Sequence, residues 1–548
     1  MSAVRETPRA TQLAAPGETQ LASEATAHND RATLLMGMGR YEEAIAVLNR
    51  AVQLDGSLAV AHSNLATCLN ALRRLPEARA SYRAAAAAAP QFIYPRVQAL
   101  SIARELCDWR SWEQEVAELR SLQPTADNTA PQLDLLFLPL TPAELRQHAE
   151  VYAQAAGQAA AGGSHGTRRG TSRRVSIGYV SDEIRNHVVG SVLVEALELH
   201  DRNAFDIHLF DWGRPANTIV ERRVRRAGIP THDISKLNDR QAAELVASLG
   251  IDVLVDLKGY TVGHRIGLFQ HRPAPVQLSW LGYPGTLGAR CFDYIIADPF
   301  VIPAGEESGY TEPVLRLPSV LLPHDRQRPI ADSGNRAVFG LPENAVVFCY
   351  LGRSGKIVPE VFADWLEIVS AVPDAVLWMR ADNEISRANL IAEAAKRGLA
   401  SERLIFYRES AHMRSSDLIA RYRFADVALD SYPYGSHSTA SDALWAGCPL
   451  VTRAGPTYAS RVAGSLLTGA GLASLVTTTR EDFRRVAIEL GNTPTRLKEL
   501  RLQLAGARQT SPIFDTPGFT RALERAYTEA LRRSREGQPA AAFDVSVR

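Results

Sequence analysis

The sequence predicts an all-α region followed by an α/β region built as two parallel-sheet lobes. Three observations carry this. A stretch near the N-terminus repeats after 34 residues. Ten short apolar runs alternate with helical stretches from Val175 onward. A Pro-rich interval, about 299 to 335, divides those runs into two sets.

Residues 1–25 are rich in Ala, Thr, Pro and charge and lack an apolar core, so they are expected to be a disordered lead-in and not a signal peptide. The repeat follows. GRYEEAIAVLNRAVQLDG, beginning at Gly39, returns as RRLPEARASYRAAAAAAP, beginning at Arg73. Tyr41 aligns with Leu75, Glu43 with Glu77, Ala44 with Ala78, Leu48 with Tyr82 and Gly56 with Pro90; upstream, Ala32 aligns with Ala66 and Leu35 with Leu69. Small residues at fixed points of a 34-residue period let paired helices approach closely, which is the tetratricopeptide pattern. Helical repeats are expected over 26–155, with Trp109 and Trp112 in a helical core. The Gly-, Ala-, Ser- and Arg-rich segment 156–174 reads as a linker.

VSIGYV, DIHLFDW, IDVLVDL, VQLSWLGY and YIIAD, between Val175 and Asp298, form the first set of apolar runs. AVVFCYLG, AVLWMR, RLIFY, DVALD and PLVTR, between Ala345 and Arg453, form the second. Short apolar strands separated by helices imply parallel sheets covered on both faces, hence two Rossmann-like lobes, 175–325 and 336–515. A ligand is expected at the carboxyl ends of the strands. No GxGxxG follows a strand, which argues against a dinucleotide oxidoreductase. Helices at about 480–507 and 518–534 precede a polar tail, and 516–548 is expected to be a C-terminal helix and tail.

Sixty-one Lys and Arg balance 60 Asp and Glu, so the charge offers no support for a nucleic-acid partner. The five cysteines, Cys68, Cys107, Cys291, Cys349 and Cys448, are scattered without CxxC spacing. This argues against zinc or disulfides and for reduced thiols in a cytoplasmic protein. No apolar run is long enough to span a membrane.

Four segments could carry chemistry. GYVSDEIRNHVVG places His187 just past the first strand, where it could exchange a proton or donate to a pyrophosphate, or simply start a helix. HRPAPVQLSWLGYPGTLG is a rigid Pro/Gly loop with backbone N–H groups suited to phosphate or sugar, or a turn that only shapes the sheet. CYLGRSGKIVPE carries Lys356 and Arg353, cations that could neutralise a departing diphosphate; a lysine simply solvated at the surface is the alternative. In LDSYPYGSHSTASDALWAGCPLVT, His437, Ser438 and Thr439 lead a helix whose N-terminus could hold phosphates, and Asp442 could accept from ribose hydroxyls; ordinary capping by Ser438 or Thr439 is the alternative.

Together with ASRVAGSLL at 459–467 and CDW at 107–109, these segments resemble the catalytic region of O-GlcNAc transferase and its bacterial and plant SPINDLY-like relatives, over roughly residues 100 to 530. The resemblance implies a GT-B-type fold of two lobes and an inverting transfer of a sugar from a nucleotide-sugar to Ser or Thr hydroxyls of a protein acceptor, with no metal or other cofactor. It implies that His187 is the active-site histidine and that Lys356 stabilises the leaving diphosphate. His437, Ser438 and Thr439 match the diphosphate-binding turn and Asp442 the ribose-binding carboxylate. Gly282, Tyr283 and Pro284 match the loop bordering the sugar pocket. The chain departs from the family at Leu351, Gly352 and Arg353, where Phe-Asn-Asn or Phe-Asn-Gln is usual. It also departs at Leu418, where a histidine often stacks on uracil; His412 lies six residues earlier. UDP-GlcNAc is the default donor and GDP-fucose the rival. A catalytically degenerate tetratricopeptide adaptor is the reading from outside enzymology.

Overall fold

A computed structural model describes residues 16–157, 174–332, 334–407 and 415–546. The expected linker lies almost entirely outside them, as do residues 1–15 and His412. The chain divides into two compact units. Residues 1–138 group with 353–359 and 381–393, and 139–352 group with 360–380 and 394–548.

The first unit is built on helix pairs: Pro16–Gly37 with Tyr41–Leu54, Ala59–Ala71 with Leu75–Ala88, then Ile93–Glu105 and Trp112–Arg120. The 34-residue period is a burial period. Ala32 and Ala66, Ala44 and Ala78, and Leu48 and Tyr82 all lie in one core at 0–1% exposure. Alanine at these points leaves no side chain to hold the helices apart, while Leu48 and Tyr82 fill the layer; burying each is worth about 1.5–3 kcal/mol. The period extends to the surface, where Arg40 pairs with Glu43 and Arg74 with Glu77. Trp112 is buried and Trp109 half-buried. The first helix begins at Pro16, so part of the expected disordered lead-in is helical. Ala25 and Ala32 on that helix are fully buried, which explains why an Ala- and Thr-rich segment orders.

The second unit holds two sheets in which every ladder is parallel. The first contains β1 (Val175–Val180), β2 (Phe205–Asp211), β3 (Thr231–Asp233), β4 (Val253–Asp256), β5 (Val276–Ser279), β6 (Tyr294–Ala297) and β7 (Val314–Arg316), and it ends on β14 (Phe543–Asp544). Its order is β14-β7-β6-β5-β4-β1-β2-β3. The second contains β8 (Val347–Tyr350), β9 (Val376–Arg380), β10 (Leu404–Tyr407), β11 (Val427–Leu429), β12 (Leu450–Arg453) and β13 (Val476–Thr477), in the order β10-β9-β8-β11-β12-β13. β4, β5, β6, β8 and β11 are buried at every residue, as strands covered by helices on both faces must be. In each sheet the winding reverses once, between β1 and β4 and between β8 and β11. Crevices for ligands open at such reversals, beyond the carboxyl ends of the strands.

Several boundaries differ from expectation. The helix Pro142–Ala155 belongs to the second unit, not to the repeats: Arg146 donates to Ser308 O at 2.9 Å, and the Thr311 hydroxyl donates to Glu150 at 3.1 Å. The run VQLSWLGY is a strand only to Ser279, because its Gly and Pro neighbours turn the chain. The Pro-rich interval contributes β7. The helix expected over 480–507 is two helices, Arg480–Asn492 and Pro494–Thr510, because a helix interior cannot continue smoothly through Pro494. The helix Thr516–Arg535 and the tail serve the first sheet. Tyr527 reaches the Tyr179 hydroxyl at 3.2 Å, Glu524 lies 3.0 Å from His200 Nδ1, and β14 pairs with β7.

Candidate active site

β1 and β4 are neighbours at the reversal of the first sheet, and the loops leaving their carboxyl ends carry one connected charge cluster. Lys258 is only 4% exposed and its Nζ sits 2.6 Å from Asp182 and 3.0 Å from Glu183 Oε1. Glu183 Oε2 lies 3.1 Å from Nδ1 of His187, which is 47% exposed. His187 is also the residue preceding the helix Val188–Leu199, at a helix start as the alternative reading of its position has it; its side chain does not cap that helix.

The β1 loop is pinned on several sides. The Glu183 N–H donates to Ser181 Oγ at 3.0 Å, and both carboxylate oxygens of Asp211 accept from Arg185, at 2.8 and 2.7 Å. The loop folds back on its helix at Gly190, where a Cβ would come within 2.7 Å of Glu183 O and closer still to Arg185 O. Burial pushes the Glu183 carboxyl up, but its bonds to His187 and Lys258 outweigh burial and leave it below the usual glutamate range.

The β4 loop is shaped by Asp256, which accepts from the backbone N–H groups of Lys258 (3.0 Å) and Gly259 (2.9 Å). Burial pushes the Asp256 carboxyl up from 3.8 to about 6, against those hydrogen bonds and the Lys258 charge. The folded protein therefore holds this proton to higher pH than the unfolded chain. Stability falls as pH rises from about 4 to about 6 and stays reduced above that window. Asp256→Asn removes the dependence. Urea unfolding should show the variant gaining about 1 kcal/mol on its parent between about pH 5 and about pH 7.5.

The loop after β5 lies against the β4 loop. A Cβ on Gly282 would sit 2.8 Å from Leu257 C and from Lys258 Cα, and closer to Leu257 O. The preceding residue, Leu281, takes φ +66°, a conformation bulky side chains rarely adopt. Tyr283 is 5% exposed, its ring 5.7 Å from that of Tyr260, and Pro284 is buried too. The structure thus brings His187 and the Gly282–Pro284 loop together at one reversal. Lys258, Glu183 and Asp182 link them.

In the second sheet, the chain leaving β11 is organised by Asp430. This carboxylate is 3% exposed and accepts from Ser431 N (2.8 Å), Ser436 N (2.6 Å) and the Thr452 hydroxyl (2.6 Å). His437 stacks on Tyr434 with ring centroids 4.9 Å apart, and its Nε2 is 3.0 Å from Ala459 O. The helix Ser438–Ala446 starts there. The preceding position is His437, so neither Ser438 nor Thr439 is the cap. First-turn N–H groups and the helix dipole favour an anion at such an end. Asp442 pairs with Arg328 at 2.6 Å, and its neighbour Ser441 bonds His324 Nδ1 at 3.0 Å. Burial pushes Asp442 up, with the Arg328 charge opposing. Leu418 lies half-buried on the helix Ser415–Ala420.

Lys356 and Arg353 group with the first unit, not with the C-terminal lobe as expected. Lys356 is half-buried at the end of a 3₁₀ turn, Ser354–Lys356, and Arg353 is exposed. Ser354 donates to Asp382 through both N–H and hydroxyl at 2.8 Å. Arg104, 4% exposed, donates to Gly355 O at 2.7 Å, and Cys107 Sγ approaches Ser354 O at 3.8 Å. The CDW segment therefore lies against the backbone of the lysine's own turn.

Sequence reasoning missed Glu183, Asp182, Lys258, Arg328 and Arg104. The first two stand inside the GYVSDEIRNH segment, and Lys258 follows a strand in the same way as His187, so the signal that singled out His187 applied to them as well. Among the described residues no group of three or more His, Cys, Asp or Glu is placed to hold a metal ion, and no helix is long and apolar enough to cross a membrane. The described cysteines are free and buried.

Residues 163–332 and 326–523 match the family described as Glycosyl transferase family 41, and residues 35–101 match a tetratricopeptide repeat. Similar proteins include the Arabidopsis thaliana protein named probable UDP-N-acetylglucosamine–peptide N-acetylglucosaminyltransferase SEC, 30% identical over 388 residues, which are 69% of this chain and 39% of that one. Another is the Oryza sativa subsp. japonica protein of the same description named SPINDLY, 30% identical over 378 residues, 67% of this chain and 40% of that one. The chain spans about two fifths of the length of these curated relatives. Among solved structures, a mutant of the Thermobaculum terrenum O-GlcNAc transferase superposes with a TM-score of 0.73 at 28% identity, covering 94% of this chain and 99% of that one.

Proposed function

The chain belongs to glycosyl transferase family 41, and on that premise we propose that it moves N-acetylglucosamine from UDP-N-acetylglucosamine to Ser or Thr hydroxyls of protein, with inversion. The observation that carries the reading is the cluster at the first sheet's reversal. There an exposed histidine backed by a carboxylate is joined through Lys258 to a backbone loop in which a Cβ at Gly282 would clash. The acceptor oxygen attacks the anomeric carbon opposite the diphosphate. Lys356 and the N-terminus of the helix Ser438–Ala446 stabilise the charge that develops on the leaving group, so the step calls on no resident metal. Asp442 accepts from the ribose, oriented by Arg328. Arg353 serves the same diphosphate from the exposed side of its turn. Helix-pair repeats suit an extended protein acceptor.

Leu351, Gly352, Arg353 and Leu418 favour keeping GDP-fucose as the second donor, since an aliphatic side chain cannot stack on a base as a ring does. The test is calorimetric binding of UDP, UDP-GlcNAc, GDP and GDP-fucose to the full chain, followed by transfer to a peptide mixture. UDP and UDP-GlcNAc are expected to bind with Kd of about 1 μM to about 1 mM, the span of ordinary KM values. Preference for GDP would move the assignment to fucosyl transfer, and binding of none would support the adaptor reading.

A further inference from the structure

We propose that Glu183 is a positioning residue for His187: its carboxylate holds the proton on Nδ1, so that Nε2 presents a lone pair to the acceptor hydroxyl. The proposal rests on the transferase reading above. Its basis is the way each oxygen of Glu183 is used. Oε2 lies 3.1 Å from His187 Nδ1, and Oε1 lies 3.0 Å from Lys258 Nζ. A carboxylate is an acceptor only, so the ring nitrogen facing it carries the hydrogen. Lys258, buried to 4% exposure and also paired with Asp182 at 2.6 Å, keeps Glu183 ionised. The lowered Glu183 carboxyl agrees with this.

The geometry around the pair is rigid. Glu183 is held at its own N–H by Ser181, and the loop is clamped to β2 through Arg185 and Asp211. Close packing at Gly190 leaves the backbone of residues 183–185 no room to withdraw. Lys258 is held in turn by the β4 loop that Asp256 organises. The carboxylate that orients the histidine is therefore oriented by two neighbouring strands of one sheet.

In the transfer step the acceptor oxygen forms a bond to the anomeric carbon. The bond from that carbon to the diphosphate oxygen breaks, and its electron pair leaves with the nucleotide. The acceptor proton passes to His187 Nε2. The imidazolium so formed lies against the Glu183 carboxylate, which stabilises it without taking its proton.

Glu183→Gln in the full chain keeps the shape and removes the charge. It is expected to lower kcat about 10²-fold, with the donor KM and UDP affinity changed by less than about twofold. Nitrogen-15 spectra of histidine-labelled protein, assigned with His187→Asn, should show the Nδ1–H tautomer in the parent and its loss in the variant. Glu183→Asp, which keeps the charge on a shorter stem, should recover part of kcat. The proposal is overturned by an Nε2–H tautomer at His187 in the parent, by kcat unchanged in Glu183→Gln, or by Glu183→Asp being as slow as Glu183→Gln. A parent that transfers from no donor would sink the transferase reading instead. The ring spectrum would still decide where the proton sits.

Discussion

Lys356→Met is expected to lower kcat by about 10²–10³-fold, the effect of removing one preorganised charge from a leaving group. The intact nucleotide-sugar carries two negative charges on its diphosphate, and cleavage adds a third on the departing oxygen. A cation at that oxygen therefore stabilises the transition state and the free UDP product more than the donor. UDP affinity should weaken about tenfold, and UDP-GlcNAc affinity by less. The fold should tolerate the change. Lys356 is half-buried at the end of a short turn, and that turn is held by Ser354, Asp382 and Arg104. Methionine keeps the stem, so the unfolding midpoint should fall by no more than about 1 kcal/mol equivalent. Single-turnover kinetics and calorimetry on the same preparation separate these effects. A variant with parental kcat would remove Lys356 from the reaction.

Gly282→Ala should damage both stability and catalysis. The added Cβ would meet Leu257 C and Lys258 Cα at 2.8 Å, with Leu257 O closer, and all three are backbone atoms. No rotamer change relieves such a clash; either the β4 loop or the β5 loop must move. Overpacking of this kind costs about 1–3 kcal/mol or more. Any shift of the β4 loop carries Lys258 and, through it, Glu183 and His187. The expected result is a drop of about 3 kcal/mol in urea unfolding together with a kcat loss of at least about tenfold. As a control, Gly340→Ala lies where no atom comes within 4 Å but φ is +68°, so it tests backbone strain without the clash. A Gly282 variant no less stable than the Gly340 variant would mean that the loops yield easily.

The sheets were legible where apolar runs are long and buried on both faces. β1 has the bounds its sequence suggests, and the second lobe's strands from Val347 to Arg453 sit inside the expected runs. β3, β13 and β14 were not legible. They are two or three residues long, and β3, Thr-His-Asp, is wholly polar, so periodicity has nothing to count. The helix break at Pro494 was visible in principle and was overrun by the apolar pattern on either side. Among site residues, those next to Gly and Pro landmarks could be read directly. Partners joined across the chain could not: Glu183 with Lys258, Arg104 with Gly355, and Arg328 with Asp442 each meet only after many intervening residues. A buried cation such as Lys258 looks in sequence like any surface lysine, because the carboxylates that make its burial tolerable are supplied by a different loop.

The pairing of β14 with β7 has a consequence for biosynthesis. Arg316 leaves the ribosome roughly 230 residues before Phe543 and Asp544, which at 5–20 residues per second is an interval of about 10–45 s. Throughout it the first sheet's border at β7 lacks its neighbour, and Tyr294 lacks the ring of Phe543 that later packs against it edge-on. An unpaired strand edge is a template for another chain's strand. The nascent protein thus carries an open edge at β7 while its second lobe is being made, and pairing with β14 covers it.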